Sequence, residues 1–225
     1  MLKRSAKAQA AENSFPYPLL NDAAVLASFQ GWREQEYEDL LAVQRGVLSE
    51  AQFREKYCWT TAIMVLDMTD FTKCAMQEGA LASLLKIVEA HQVCIPALNE
   101  AGAGFIRSFA DDLVALFENP SDAVGAAFEI HARMQLFAER KADERQSVSC
   151  CIGIGYGEVM KIGPNFAQGD EMNRASVLGE DIADGGQTLV THNVFAALRE
   201  RQDMTFKDAQ HPAAAFPFYR ASPAA

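Results

Sequence analysis

Residues 65–72 read Val-Leu-Asp-Met-Thr-Asp-Phe-Thr, and they decide the fold prediction because a carboxylate follows directly on an apolar run. The run begins at Ala62 and is continuous through Leu66, which is typical of a strand buried on both faces. Asp67 then stands at the end of this strand. A lone acidic residue in such a place is usually a solvated turn residue or a helix cap, so Asp67 alone leaves both interpretations open.

A second stretch, residues 105–117, reads Phe-Ile-Arg-Ser-Phe-Ala-Asp-Asp-Leu-Val-Ala-Leu-Phe. Two short apolar strands flank Ala110, Asp111 and Asp112, which predicts a tight hairpin. Hard cations such as Mg²⁺ take oxygen ligands, often one or two carboxylates together with substrate phosphates. The two stretches together therefore predict that Asp67 and Asp111 form a divalent metal site. Asp112 as the ligand, and Asp111 as a plain turn residue, are the alternatives.

Composition limits the partners of this chain of 225 residues, which is 49% hydrophobic and carries a formal net charge of −10. An acidic surface argues against nucleic acid or an anionic membrane as the main partner, because both attract basic proteins. It is compatible with a nucleoside triphosphate whose charge is met locally by metal and backbone N–H groups. We find no apolar run near the roughly 20 residues of a membrane-spanning helix and no signal core, and we predict a cytoplasmic protein.

The cysteines predict no metal centre and no disulfide framework. Their spacing matches neither a zinc motif nor the paired pattern of a secreted scaffold. We expect all of them to be reduced and structural, since buried free cysteine is common in protein cores. The five are Cys58, Cys74, Cys94, Cys150 and Cys151.

The sequence pattern divides the chain into an N-terminal extension, residues 1–57, and a main domain, residues 58–225, which is expected to be the catalytic domain. The extension is predicted to be loosely attached at its start and helical over 20–57, with Ser49 capping a short second helix. The domain follows the order β-α-β-β-α-β, the ferredoxin-like split βαβ pattern of the α+β class. Its predicted elements are a helix over 73–101 that Pro96 kinks or ends, a helix from Asn119-Pro120 to 140, strands over 148–155, 187–190 and 216–220, a polar loop over 161–172, and helices from about 173 and over 193–200.

Four segments in this order resemble the class III nucleotidyl cyclase catalytic domain, the adenylate/guanylate cyclase homology domain. Each motif is short and weak alone, and the shared order carries the resemblance over about residues 60–221. The segments are DMTDFT at 67–72, FADD at 109–112, IGIGYGEV at 152–159, and GDEMNRAS at 169–176 followed by GQTLVT at 186–191.

The resemblance implies roles for the two aspartates. Asp67 and Asp111 would hold two Mg²⁺ or Mn²⁺ ions, with the backbone carbonyl of Met68 as a further ligand. In this family one ion activates the ribose 3′-hydroxyl and the other anchors the triphosphate. The 3′-oxygen attacks the α-phosphorus and pyrophosphate leaves.

The resemblance also implies where the triphosphate and ribose bind. Backbone N–H groups around Asp70, Phe71 and Thr72, at a helix start, would take the β- and γ-phosphates. Asn173 would hydrogen-bond the ribose from the opposite subunit. A homodimer with two equivalent sites at the subunit interface follows from that arrangement.

Two positions near the base depart from the purine cyclases. Arg107 stands where adenylate cyclases usually carry Lys and guanylate cyclases Glu, and Phe166 stands at the partner position. Arginine only donates, so it suits the carbonyl groups of uracil or the O2 and N3 of cytosine. The chain thus looks like the pyrimidine cyclases of bacterial anti-phage (Pycsar-type) systems, which make cUMP or cCMP to activate a separate effector, and UTP is favoured. The alternative is that Arg107 merely pairs with a nearby acid.

One departure concerns catalysis itself. The family's transition-state Arg is replaced by Val177, with Arg174 nearby as a substrate-binding candidate and Lys207 as an uncertain counterpart of the family's phosphate-binding Lys. Losing such a cation often costs roughly 10²–10³ in rate. Because Asp67, Asp111 and Asn173 are all retained, the main hypothesis is still an active pyrimidine cyclase. The alternatives are an adenylate cyclase and a degenerate module that binds a nucleotide without converting it.

Overall fold

The computed structural model describes residues 16–69, 71–140 and 149–224. These residues form two compact units. Of the described residues, the smaller unit contains those from 16 to Trp59 and Met160–Gln168, and the larger unit contains the remainder. The domain boundary expected between residues 57 and 58 stays a prediction.

The smaller unit contains the three helices α1 (Ala23–Gln30), α2 (Glu34–Gln44) and α3 (Glu50–Tyr57). The side chain of Ser49 accepts a hydrogen bond from the Gln52 N–H and caps α3, as predicted. The apolar centre of this unit is formed by Phe53, Tyr57 and Ile162, with partly buried residues of α2 packed around them. The helical extension predicted over 20–57 is confirmed, as three helices.

The polar loop predicted over 161–172 is wrong. Strand β4 runs through Cys150–Ile162, and a short strand β5 (Phe166–Gln168) pairs antiparallel with its end. Gly163 makes the connecting turn with a φ of +57°, a region that favours glycine. Ile162 lies opposite Phe166, so two apolar residues scattered among polar ones form a cross-strand pair.

The larger unit is built on seven strands in the order β2-β3-β1-β4-β6-β8-β7. Neighbouring strands β1 and β3, β2 and β3, β6 and β8, and β7 and β8 are antiparallel, whereas β4 and β6 are parallel. The strand β7 was not predicted from the sequence. The strands are β1 (Cys58–Met68), β2 (Phe105–Phe109), β3 (Asp112–Phe117), β4 (Cys150–Ile162), β6 (Thr188–Thr191), β7 (Met204–Ala209) and β8 (Phe218–Pro223).

The helices of the larger unit complete the β-α-β-β-α-β order and confirm the predicted α+β class. The helix predicted over 73–101 is two helices, because the chain turns at Gly79 with a φ of +89°. Pro96 lies inside the second helix without ending it. The helical segments are α4 (Phe71–Glu78), α5 (Ala80–Glu100), α6 (Pro120–Arg140), α7 (Asp170–Ser176), a π-helical turn (Val177–Ile182) and α8 (His192–Leu198).

Strand β1 is buried on both faces, as its unbroken apolar run predicts. Ala62, Met64 and Leu66 contribute to the main core together with residues of α5 and α6. Burying each large apolar side chain contributes about 1.5–3 kcal/mol, so the strand that carries Asp67 is firmly held. Cys94 and Cys150 are buried in this core as free thiols.

Helix α5 is, by length and composition, the one helix among the described residues that could cross a membrane. A helix in the core of a protein can have the same length and hydropathy, so these two properties do not distinguish the two kinds of helix. Ala90, Cys94 and Leu98 in its C-terminal half are buried in the main core. Leu81 and Leu84 in its N-terminal half are exposed.

A candidate metal and nucleotide site

The strand register brings the two acidic stretches together. Leu66 of β1 lies opposite Leu113 of β3. Asp67 follows Leu66 and Asp112 precedes Leu113, so the next step of the ladder places these carboxylates side by side. Asp111 occupies the hairpin turn immediately before. A candidate ligand oxygen from each of Asp67, Asp111 and Asp112 lies within 4.8 Å of the other two.

The electrostatics of this acidic cluster fit a cation. Burial, and then the charges of Asp111 and Asp112, raise the pKa of Asp67 to about 7. Burial and the charge of Asp111 also raise the pKa of Asp112, which Arg107 partly offsets. Three carboxylates at this spacing are a donor set of hard oxygens, which suits Mg²⁺ or Mn²⁺. The predicted aspartates therefore converge, and Asp112 lies with them.

The hairpin turn is strained where it presents the acids. Among the described residues other than glycine, Ala110 alone has a positive φ, at 52°. A left-handed conformation costs an alanine roughly 1–2 kcal/mol. Strain of this kind is often found at functional sites. Ala110 holds the reversal that places Asp111 and Asp112 beside Asp67.

A fourth acid, Glu180, was missed in the sequence analysis. It lies in the π-helical turn, an element that is frequent at functional sites. Partial burial and the charge of Asp112 raise the pKa of Glu180, while a hydrogen bond with Ser176 and the charge of Arg107 lower it. Arg107 thus interacts with both Asp112 and Glu180. A π-helical turn has a wider repeat than an α-helix. The α-helical spacing of apolar residues therefore does not reveal it in the sequence.

Asn173 is positioned by a buried carboxylate two residues earlier. Glu171 is only 4% exposed and accepts hydrogen bonds from the Tyr156 N–H (3.1 Å) and the Thr191 hydroxyl (2.5 Å). These contacts tie α7 to β4 and β6 and leave Asn173 exposed on the helix.

The glycines of the GIGYG segment let α7 lie directly on β4. A Cβ at Gly153 would lie 2.0 Å from the Ala175 carbonyl oxygen, and one at Gly155 would lie 2.3 Å from that of Glu171. No side chain fits there without moving backbone. Gly153 and Gly155 therefore allow close helix–strand packing and have no chemical role here.

Other predicted site residues lie as follows. Met68 ends β1 and is buried, and Phe71 begins α4 and packs against the main core. Asp70, and the side chain of Thr72, lie outside the described residues. The Arg174 guanidinium contacts the Glu171 carboxylate at 2.6 Å and lies 5.6 Å over the Phe216 ring.

Phe166 lies in the smaller unit, on β5 rather than in a loop. Its ring centroid is 5.5 Å from that of Trp32, in an edge-on contact. The packing of that unit accounts for this aromatic side chain. Its role beside a base stays a prediction.

Comparison with known proteins places this geometry in context. No protein-family model matches the chain, and no curated protein matches it in sequence. Among solved structures, an adenylate/guanylate cyclase/hydrolase from Silicibacter pomeroyi is 22% identical with a TM-score of 0.61, covering 75% of this chain and 98% of that one. The adenylyl cyclase CyaB from P. aeruginosa is 16% identical with a TM-score of 0.57, covering 75% and 97%.

A third solved structure, the guanylate cyclase domain of RhGC from Catenaria anguillulae in complex with GTP, is 13% identical with a TM-score of 0.61, covering 74% of this chain and 97% of that one. At these identities the likeness establishes the fold. The chain has the adenylate/guanylate cyclase homology fold with an N-terminal helical part.

We expect Asp67→Asn to stabilise the metal-free protein at alkaline pH. The folded-state pKa of about 7 lies above the ordinary value of 3.8, so the protonated form favours folding. That stabilisation is complete below the ordinary value and is lost as the pH rises through 7. Asn stays neutral, and after solvent screening of a half-buried group we expect a gain of about 1–2 kcal/mol at about pH 8.

Denaturant unfolding in the presence of a chelator, at about pH 8 and about pH 5, measures this effect. The difference between variant and wild type should shrink at the lower pH. Asp203→Asn is the control, because its pairing with Arg201 lowers the pKa of Asp203 and predicts no alkaline gain. A loss of stability in Asp67→Asn at the higher pH would contradict the assignment.

Proposed function

We propose that the protein is a nucleotide cyclase that converts a pyrimidine nucleoside triphosphate to its 3′,5′-cyclic monophosphate and pyrophosphate. The observation that carries the proposal is the convergence of Asp67, Asp111 and Asp112 at the end of β1 in a cyclase homology fold. Divalent cations would relieve the repulsion among these three carboxylates and could also bind the triphosphate.

The chain's own residues divide the work. Asp67 and Asp111 hold Mg²⁺ or Mn²⁺, two ions per site, with the Met68 carbonyl as a further ligand. Divalent ions bound there supply charge neutralisation of the triphosphate and a lowered pKa of the ribose 3′-hydroxyl. Backbone N–H groups around Asp70, Phe71 and Thr72 hold the terminal phosphates near the start of α4.

Asn173 orients the ribose in this proposal, and Glu171 fixes the helix from which it acts. Asn173 is exposed on α7, as a residue that reaches into a partner subunit's site must be. The protein would act as a homodimer with sites at the subunit interface. We further propose a cytoplasmic enzyme whose product activates a separate effector in anti-phage defence.

Base selection is assigned to Arg107, and the role of Phe166 beside a base remains as the sequence predicts it. The planar guanidinium donates to the carbonyl groups of uracil and accepts nothing from a purine amine, which favours UTP over CTP. Its positive charge partly offsets the raised pKa of Asp112 and that of Glu180.

A second candidate function is a nucleotide-binding module without turnover. Val177 offers no cation, and Arg174 is already paired with the buried Glu171 carboxylate. A clamp on the developing charge is worth roughly 10²–10³ in rate, so its loss gives slow turnover or none.

Incubating the purified protein with Mn²⁺ and each of ATP, GTP, CTP and UTP tests both functions. Chromatography of the products should show a cyclic monophosphate from UTP, less from CTP, and little from the purines. Product mainly from ATP would leave a cyclase but overturn the pyrimidine assignment. Nucleotide binding without product from any of the four would favour the module.

A further inference from the structure

The smaller unit contains a cavity that the proposed chemistry does not use. Its volume is about 520 Å³, and its lining includes Arg33, Lys56, Tyr57, Trp59 and Lys161. Sites for small organic ligands commonly measure about 300–1,000 Å³. The cavity therefore has the size of a ligand site, and every residue that lines it belongs to this one unit.

One of the residues that line the cavity is a buried carboxylate. Glu36, 1% exposed, accepts hydrogen bonds from the Gly163 N–H (3.2 Å) and the Arg33 guanidinium (2.8 Å). Although burial acts to raise it, these hydrogen bonds lower the pKa of Glu36. The backbone N–H of Arg33 donates to the other carboxylate oxygen at 2.8 Å, so both oxygens are engaged and the anion anchors Arg33 at the cavity wall.

The turn between β4 and β5 forms part of the cavity wall. The Trp32 indole N–H donates to the Asn165 side-chain oxygen at 2.8 Å. A Cβ on Gly163 would lie 2.7 Å from the Trp32 ring. Trp32 therefore holds the β4–β5 turn, whose residues Gly163 and Pro164 line the cavity, against the helical part of this unit.

Three cationic side chains line this cavity, and two of them are paired with carboxylates, Arg33 with Glu36 and Lys56 with Asp39. The described residues of the smaller unit contain five Lys and Arg side chains, and three of them line it. The chain as a whole carries a net charge of −10. The pairing with Asp39 holds the Lys56 ammonium beside the Tyr57 ring. The three lining cations are Arg33, Lys56 and Lys161.

An aromatic side chain completes the site. Trp59 is 51% exposed and lines the same cavity as the three cations. An exposed indole offers a flat face to a planar ring, while ammonium and guanidinium groups bind phosphate oxygens. We propose that this cavity binds a ring-bearing organic phosphate of mononucleotide size, at a site separate from the acidic cluster.

Calorimetric titration of the full chain with UMP, in the presence of a chelator, tests this proposal. Without divalent metal, binding at the acidic cluster is suppressed, so the test does not depend on the proposed cyclase activity. We expect saturable binding below about 1 mM, weaker binding of pyrophosphate, and no binding of uridine at the same concentration. Because Trp32 and Trp59 are the chain's two tryptophans, the indole emission should change with the same midpoint.

Variants locate the site. Lys161→Gln should weaken UMP binding about tenfold through the lost charge-assisted hydrogen bond. Trp59→Leu should weaken UMP about fivefold and leave pyrophosphate unchanged. Arg199→Gln, an exposed cation of the larger unit, should change neither. No binding of UMP, or equal binding by wild type, Lys161→Gln and Trp59→Leu, would overturn the proposal.

Discussion

Replacing Asp67 or Asp111 with Asn is expected to lower cyclic nucleotide formation by at least about 10³-fold, because each removes a charged metal ligand beside the triphosphate. The amide keeps the size of the side chain but loses the charge that balances a divalent ion. Initial rates with UTP and Mn²⁺ measure the loss. Both variants should remain folded, since the cluster itself is electrostatically unfavourable without metal.

Asp112→Asn is the matched comparison for this experiment. Asp112 lies in the same acidic cluster and on the same hairpin, so the substitution changes the local charge equally. We expect a loss of about tenfold, as for a residue that tunes the field without binding the ion. A loss in Asp112→Asn as large as in Asp67→Asn, with Asp111→Asn near wild type, would transfer the ligand role to Asp112.

The two effects of Asp67→Asn separate function from folding. The variant should be more stable than wild type in the metal-free protein at alkaline pH and yet inactive. If Asp67 served mainly to stabilise the fold, its substitution would lower both the free energy of unfolding and the cyclase activity. Functional residues that cost stability are expected where like charges are held together for a ligand.

The parts of the fold that could be predicted are those that depend on residues adjacent in the sequence. The run from Ala62 to Leu66 predicted a buried strand because a strand buried on both faces is apolar at every position. Asn119-Pro120 predicted a helix start for an equally local reason, and Pro120 begins α6. These signals depend on neighbouring residues and survive any tertiary arrangement.

The parts that were missed depend on partners far along the chain. Strand β5 exists because Phe166 pairs across a glycine turn and packs on Trp32, a residue more than 130 positions earlier. Glu180 interacts through its charge with Asp67 and Asp112 from a π-helical turn, which the periodicity of the sequence does not reveal. The long helix breaks at Gly79, whose φ of +89° is not helical, and continues through Pro96.

The resemblance to the family motif does not by itself decide whether Asp111 or Asp112 is the metal ligand. Motif counting favours one residue of an adjacent pair, while the sheet register places the other beside Asp67. Side chains of consecutive hairpin residues can reach one ion together. Geometry therefore adds a candidate to the predicted ligand set.

Arg107→Lys is expected to lower kcat/KM for UTP by about 10²-fold and to narrow the preference for UTP over ATP. Lysine keeps the positive charge but replaces a planar five-donor fork with a single ammonium, so it no longer matches a carbonyl-bearing ring edge. Lys is also the residue that the resemblance associates with adenine at this position. Competition assays with UTP, CTP and ATP measure the ratio.

The same substitution decides between recognition of the base and simple ion pairing. The charge of Arg107 interacts with Asp112 and Glu180, and Lys preserves that charge. If Arg107 only balances these acids, Arg107→Lys should leave both the rate and the UTP preference near wild type. Arg133→Lys is the control, because Arg133 pairs with Glu100 and Glu129 away from the cluster and should leave selectivity unchanged. A selective loss in Arg107→Lys alone therefore assigns the guanidinium to the base.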